Sequence, residues 1–211
     1  MEKMTEEKQE SRKIPLPEVE LLSITPDAER LIEEAGRTCY LSFDKMSTDS
    51  TKKFIRMILK NGHHSVLEHA SATFRIRGGS RSFTHQVVRH RLASFSQQSQ
   101  RYVNEKEFQV VTPPSIGENE EALKIFNDLV EHARNAYGEL KKMKIRKEDA
   151  RFVLPNAVTS EIVITANLRQ WRHIISLRKE EHAQWEIRRI CDDILKVLAR
   201  KAPAVFEDLL Q

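Results

Sequence analysis

Apolar residues recur along this chain at two spacings, and the spacings predict its elements. Ala72, Phe74 and Ile76 alternate with Thr73, Arg75 and Arg77. A period of two marks a strand with one buried face, and Gly78-Gly79 is expected to end it. Glu18–Ile24 and the β-branched run Glu161–Thr165 predict two further strands. Leu123, Phe126, Leu129/Val130, Ala133, Tyr137 and Leu140 instead keep helical spacing, which predicts a long amphipathic helix over Glu118–Lys142.

Further helices follow from start and stop signals. Thr25 is expected to cap one, with Pro26 at its first position, Asp27 and Glu29 in its first turn, and its end near Gly36. A second spans Asp49–Lys60, presents Phe54, Met57 and Ile58 on one face, and stops at Asn61-Gly62. Ser82–Arg91 is helical by composition, and Leu92–Tyr102 is expected to be loop. Thr112-Pro113-Pro114 breaks the chain, and Lys147–Leu154 forms a short helix ended by Pro155. Leu168–Leu177 and Ala183–Lys201 complete the set, the last carrying Trp185, Ile187, Ile190, Ile194, Val197 and Leu198. Few connections resemble regular βαβ crossovers, so the expected fold class is α/β in its α+β form: a mixed, largely antiparallel sheet flanked by helices. Residues 16–211 are read as one domain, and the charged stretch 1–15 as a flexible lead-in without the apolar core of a secretory signal.

Composition narrows the possibilities. A chain of 211 residues with 39% hydrophobic and 31% charged residues can close its own core. No apolar run approaches the ~20 residues of a membrane span. Cys39 and Cys191 are isolated, so neither a disulfide framework nor a zinc ribbon is indicated, and a cytoplasmic location is expected. The net charge of +4 suits anionic small ligands and nucleic acid alike.

The segment Arg89–Tyr102 separates these. It holds three arginines, a histidine, three serines and three glutamines, with no acidic residue, Gly or Pro. Guanidinium groups match phosphate in a two-pronged geometry, and Ser and Gln supply neutral donors and acceptors for a heterocycle. Ser99 as a nucleophile would need an oriented base. His90 has no carboxylate nearby in the segment, and no Gly-x-Ser-x-Gly elbow occurs, so Ser99 is read as a ligand residue. His63, His64 and His69 lack the spacing of a metal motif, and no metal is expected. No Gly-x-Gly-x-x-Gly occurs among the 6 glycines, so any dinucleotide would be held by arginines and helix starts.

The segment resembles the signature Arg-His-Arg-x-x-Ser-x-Asn-x-x-Ser-x-Arg of the flavin-dependent thymidylate synthases (ThyX), through Arg89, His90, Arg91, Ser94, Ser99 and Arg101. Ser96 stands where that pattern has Asn, and Gln97 where many members carry Glu. Gly62–His69, Arg151-x-x-Leu154-Pro155, Asn167-Leu168-Arg169, Leu177-Arg178 and His182–Ile187 are similar to further blocks of the family, in its order. The resemblance implies the thymidylate synthase-complementing protein fold. It implies methylation of dUMP to dTMP, with 5,10-methylenetetrahydrofolate as carbon donor and NADPH as reductant by way of FAD, and a homotetramer with shared active sites. No enzyme nucleophile on the uracil is implied. Positions matching dUMP ligands are Gln86, Val87, Val88, Arg89, Gln97, Gln98, Ser99, Gln100, Arg101, Arg151 and Arg178. Those matching FAD ligands are His63, Ser65, Arg89, His90, Arg91, Gln97, Asn167, Leu168, Arg169 and His173, with Glu68 as an orienting group. Arg178 is the implied catalytic residue, beside the uracil ring where it favours ionisation at N3; on its own it would be read as a helix-end arginine paired with Glu180 or Glu181. The rival readings are a basic nucleic-acid-binding module, whose binding would weaken steeply with salt, and a metal-dependent hydrolase centred on the three histidines. The resemblance favours small-molecule partners over nucleic acid or membrane.

Overall fold

Residues 17–210 are described by a computed structural model, and the lead-in expected at residues 1–15 lies outside them. Four strands form one sheet: β1 (Glu18–Ile24), β2 (Ser71–Ser80), β3 (Ser94–Gln97) and β4 (Thr159–Asn167), in the order β1-β2-β4-β3. The mixed helix and antiparallel-sheet class expected from the pattern is present. Six longer helices accompany it: α1 (Ala28–Thr38), α2 (Ser50–Lys60), α3 (Arg81–Val87), α4 (Glu120–Lys142), α5 (Leu168–Arg178) and α6 (Trp185–Lys201).

The chain forms two compact units. The first takes Arg77–His85 and Gln97–Glu161 with the stretch ending at Glu18; the second takes Val19–Ile76, Gln86–Ser96 and the chain from Ile162 onward. In the second unit, Ala72, Phe74 and Ile76 are buried as their alternation predicts, and so are Ile162, Ile164 and Ala166 of β4. Trp171 on α5 meets Phe74 edge-on, ring centroids 5.2 Å apart, and its indole N–H donates to the Ala72 carbonyl at 3.0 Å. That polar tie fixes which face of α5 is buried. In the first unit, Phe108, Val130, Ala133 and Val158 form a core against one face of α4. Leu129 is exposed, so the buried row of α4 runs through Val130 instead.

Several expected boundaries are corrected. Thr25 does not cap α1: its hydroxyl accepts from Ser71 N at 2.9 Å, tying the end of β1 to the start of β2. The helix begins two residues later than expected, behind Asp27 in a left-handed conformation (φ 45°). Gly78-Gly79 does not end β2, which continues to Ser80. Gly78 takes φ +75°, and a side chain on Gly79 would meet the buried Phe83 ring at 2.7 Å. The glycines therefore admit α3 against the strand. Gly79→Ala is expected to cost about 1–3 kcal/mol through overpacking, read as a lower midpoint in thermal unfolding. Ser94–Gln97 is a strand, not loop. Its residues are mostly polar, so apolar alternation could not reveal it. α3 ends at Val87 rather than Arg91, which places Arg89–Arg91 in the turn beyond the helix.

Candidate active site

α5 starts with a side-chain cap: Asn167 Oδ1 accepts from Gln170 N at 2.8 Å. Leu168 is fully buried, and its N–H donates to the Ala70 carbonyl. With the first turn fixed in this way, Arg169, Arg172, His173 and Ser176, three and four residues apart, share one face. They border a cavity of about 790 Å³. Arg89, His90 and Arg91 from the turn after α3, and His64 and Glu68 from the 3-10 turn His64–His69, also border it. Glu68 accepts from Arg169 Nη1 at 2.5 Å. Arg172 is held by both carboxylate oxygens of Asp208 at 2.6 Å and by the Val205 carbonyl. Of the four arginines, Arg169 and Arg172 are paired with Glu68 and Asp208, and Arg89 and Arg91 leave the cavity with a net positive charge.

A neighbouring cavity of about 1140 Å³ shares His64 and Arg169 and is bordered by His63, Ser65, Arg37, Phe54 and Cys39. Its wall is set by Glu33, which is fully buried and accepts from Arg37 and from the Ser50 and Thr51 hydroxyls, joining α1 to the start of α2. Burial alone would raise the Glu33 carboxyl, and the hydrogen bonds from Thr51, Ser50 and Arg37 bring it below the ordinary value.

Arg178, at the end of α5, pairs with neither Glu180 nor Glu181 in a hydrogen bond. Its Nε donates to His90 Nε2 at 3.0 Å and its Nη2 to the Gln86 carbonyl at 3.2 Å. His90 is 6% exposed. Burial, then the Arg178 charge, then His173 push its pKa down to about 4. Because the unfolded chain would titrate near the ordinary 6.5, His90 is silent above that value. It destabilises the fold as the pH drops from 6.5 towards 4, where the unfolded state binds the extra proton. The unfolding midpoint of the ligand-free protein should therefore fall between pH 7 and 4.5 more steeply than that of His90→Gln. A pH series of melts on the two proteins checks this, since shifts from other groups cancel in the difference.

The first unit carries a second polar cavity, about 290 Å³, bordered by Arg81, His85, Gln100, Arg151, Phe152 and Asn156 among others. Burial first, and then the Arg151 charge, press the Arg81 guanidinium below its ordinary pKa. Two arginines meeting across a small cavity are arranged for an anion. Arg101 reaches Glu148 at 3.4 Å on the surface. Gln97 donates to Thr84 and Ser160, and Gln98 donates to Glu105 and accepts from Glu161 N. Ser99 Oγ accepts from Arg101 N. Among the described residues no three His, Cys, Asp or Glu side chains gather as a metal-binding set, and no helix is long and apolar enough to cross a membrane.

The family profile described as thymidylate synthase complementing protein matches residues 20–204. The chain belongs to the flavin-dependent thymidylate synthase family. A member from Mycolicibacterium vanbaalenii is 46% identical over 195 residues, covering 84% of this chain and 78% of its own. One from Corynebacterium diphtheriae is 44% identical over 203 residues, covering 88% and 81%. The Helicobacter pylori ThyX crystal structure with FAD and dUMP superposes with a TM-score of 0.79 at 25% identity, covering 93% of this chain and all of that one.

Against this family background, the matched positions fall into groups. His63, Ser65, Arg89, His90, Arg91, Asn167, Arg169 and His173 all border the two cavities of the second unit. Gln86, Val87, Val88, Arg89 and Arg178 belong to the same unit, whereas Gln97–Arg101 and Arg151 belong to the first. Val87 and Leu168 have core side chains, leaving only their main chains for a ligand. Arg81, His85, Gln100's neighbours in the small cavity, and Arg172 in the large one, were not picked out from the sequence. Arg81 and His85 sit just before the signature on α3, and their spacing of four was the available signal. The two thiols differ in reactivity. Burial pushes Cys191 up to about 12, against the pull of Arg178, and Cys39 is exposed at the edge of the cavity of about 1140 Å³.

Proposed function

We propose that this enzyme methylates dUMP to dTMP. The methylene carbon of 5,10-methylenetetrahydrofolate replaces the hydrogen at uracil C5, and two electrons from NADPH complete its reduction to methyl. When bound, FAD supplies the redox chemistry that connects NADPH to this step. The cationic cavity bordered by Arg89, Arg91, Arg169 and Arg172 carries the reading. It fits a dinucleotide pyrophosphate, which needs several fixed positive charges where no glycine-rich loop exists. Arg89 and Arg91 stand exposed for it, Arg169 is aimed by Glu68, and His63 and Ser65 border the adjoining space.

Arg81 and Arg151 hold the nucleotide phosphate in this reading, with Gln100 beside them and Ser99 and Arg101 in the adjoining turn. Gln97 and Gln98, engaged with protein partners, shape the site more than they contact ligand. Arg178 places a permanent cation against the uracil imide and stabilises the negative charge that develops there. No side chain attacks the ring. Residues 16–211 are taken as one functional domain in this reading. The family resemblance further supports a cytoplasmic homotetramer with shared sites. The purified protein should be yellow or take up FAD, and should release dTMP from dUMP, methylenetetrahydrofolate and NADPH only when FAD is present. A protein that neither carries nor takes up FAD overturns the reading.

A further inference from the structure

The hydrogen bond from Arg178 to His90 specifies more than an anchor. A guanidinium has a side edge, made by Nε–H and one Nη2–H, and an end edge, made by Nη1–H and the other Nη2–H. Here the side edge is occupied: Nε donates to His90 Nε2 and Nη2 to the Gln86 carbonyl. Among the described residues nothing takes up the end edge, which keeps its two parallel donors. That fork matches two adjacent acceptors in a plane, which is what a uracil imide offers once N3 has lost its proton: the N3 lone pair and a neighbouring carbonyl oxygen.

His90 can accept from Arg178 only through an unprotonated Nε2. A neutral imidazole carries one hydrogen, so it must sit on Nδ1. The ring is held for this: it is almost fully buried, and it meets the His173 ring edge-on, centroids 6.0 Å apart and 76° between planes. We infer that His90, as the Nδ1–H tautomer, is the positioning residue for Arg178, turning the end edge of the guanidinium towards the nucleotide base. This rests on the role of Arg178 proposed above. It also gives the middle residue of the Arg-His-Arg triplet a task different from that of its neighbours: Arg89 and Arg91 offer charge to a ligand, whereas His90 offers a lone pair to another side chain.

The tautomer is tested first, on wild-type protein labelled with nitrogen-15 histidine at pH 7.5, with the His90 signals assigned by their loss in His90→Gln. A pyrrole-type Nδ1 and a pyridine-type Nε2 are expected. A pyrrole-type Nε2, a doubly protonated ring or a tautomer mixture overturns the inference without reference to any activity. Turnover is then compared at saturating FAD in wild type, His90→Gln, which keeps an acceptor oxygen, and His90→Phe, which has none. His90→Phe should lose about 100-fold in kcat, the scale of one misplaced charge-stabilising donor. His90→Gln should stay within about tenfold, and the dUMP Kd should move less than kcat in both. Equal losses in the two variants, or full kcat in His90→Phe, overturn it. If His90→Phe does not fold, the wild-type nitrogen spectrum decides. A wild type that makes no dTMP at all overturns the functional reading, and the catalytic part of this inference with it, whatever the tautomer.

Discussion

Arg178→Ala is expected to yield a folded, flavin-binding protein that forms no measurable dTMP. The loss should be about 10³-fold or more in kcat, because a charge placed in advance at the reacting ring is removed. The fold should survive. Arg178 is half-buried, and its removal takes away the hydrogen bonds it donates to the Gln86 carbonyl and His90 Nε2, a cost of about 1–3 kcal/mol. Arg178→Lys should rescue little, since an ammonium cannot occupy the side edge and present a fork at once. Single-turnover product formation, with FAD absorbance and a melting curve on the same sample, checks all three points. Full turnover in Arg178→Ala would refute the assigned role.

The second large effect is expected at the small cavity of the first unit. Arg81 and Arg151 repel one another in the free protein, and burial has already lowered the Arg81 pKa. An anion between them relieves both penalties. Arg151→Ala should therefore weaken dUMP binding about 10²-fold, the scale of a buried charge-assisted contact. FAD uptake should be unaffected. Inorganic phosphate should raise the melting temperature of wild type and have little effect on Arg151→Ala, by simple mass action. Calorimetry with dUMP and phosphate-dependent melts provide the measurement. Unchanged dUMP affinity in the variant would move the phosphate elsewhere.

Much of the scaffold was legible because its signals were strong. The alternation through Ala72, Phe74 and Ile76 and the long helical row on α4 each reflect one buried face, and each is where expected. The misses share a cause: polar groups that pair over long range. Thr25 looked like a helix cap, yet Ser71 claims its hydroxyl from 46 residues away. β3 is written in polar residues, so hydrophobic periodicity passed over it. At the site, residue chemistry singled out Arg89–Tyr102 as a ligand-binding segment, and the family resemblance supplied the expected roles. Their division of labour was not, because it depends on partners distant in sequence. The amides of Gln97 and Gln98, expected at the ligand, are bound to Thr84, Ser160 and Glu105, partners that no local pattern names. Arg81 drew no reading from the sequence, because its relation to Arg151, with which it borders one small cavity, spans 70 residues.

The contrast between the two thiols has a practical consequence. Cys191 is enclosed and held protonated, whereas Cys39 is exposed where it borders the cavity shared with His63 and Ser65. Only the second should react with a maleimide at neutral pH. The wild-type chain thus accepts a single fluorophore beside the proposed flavin space, and occupancy there could be followed as a change in emission, without altering any of the arginines under study.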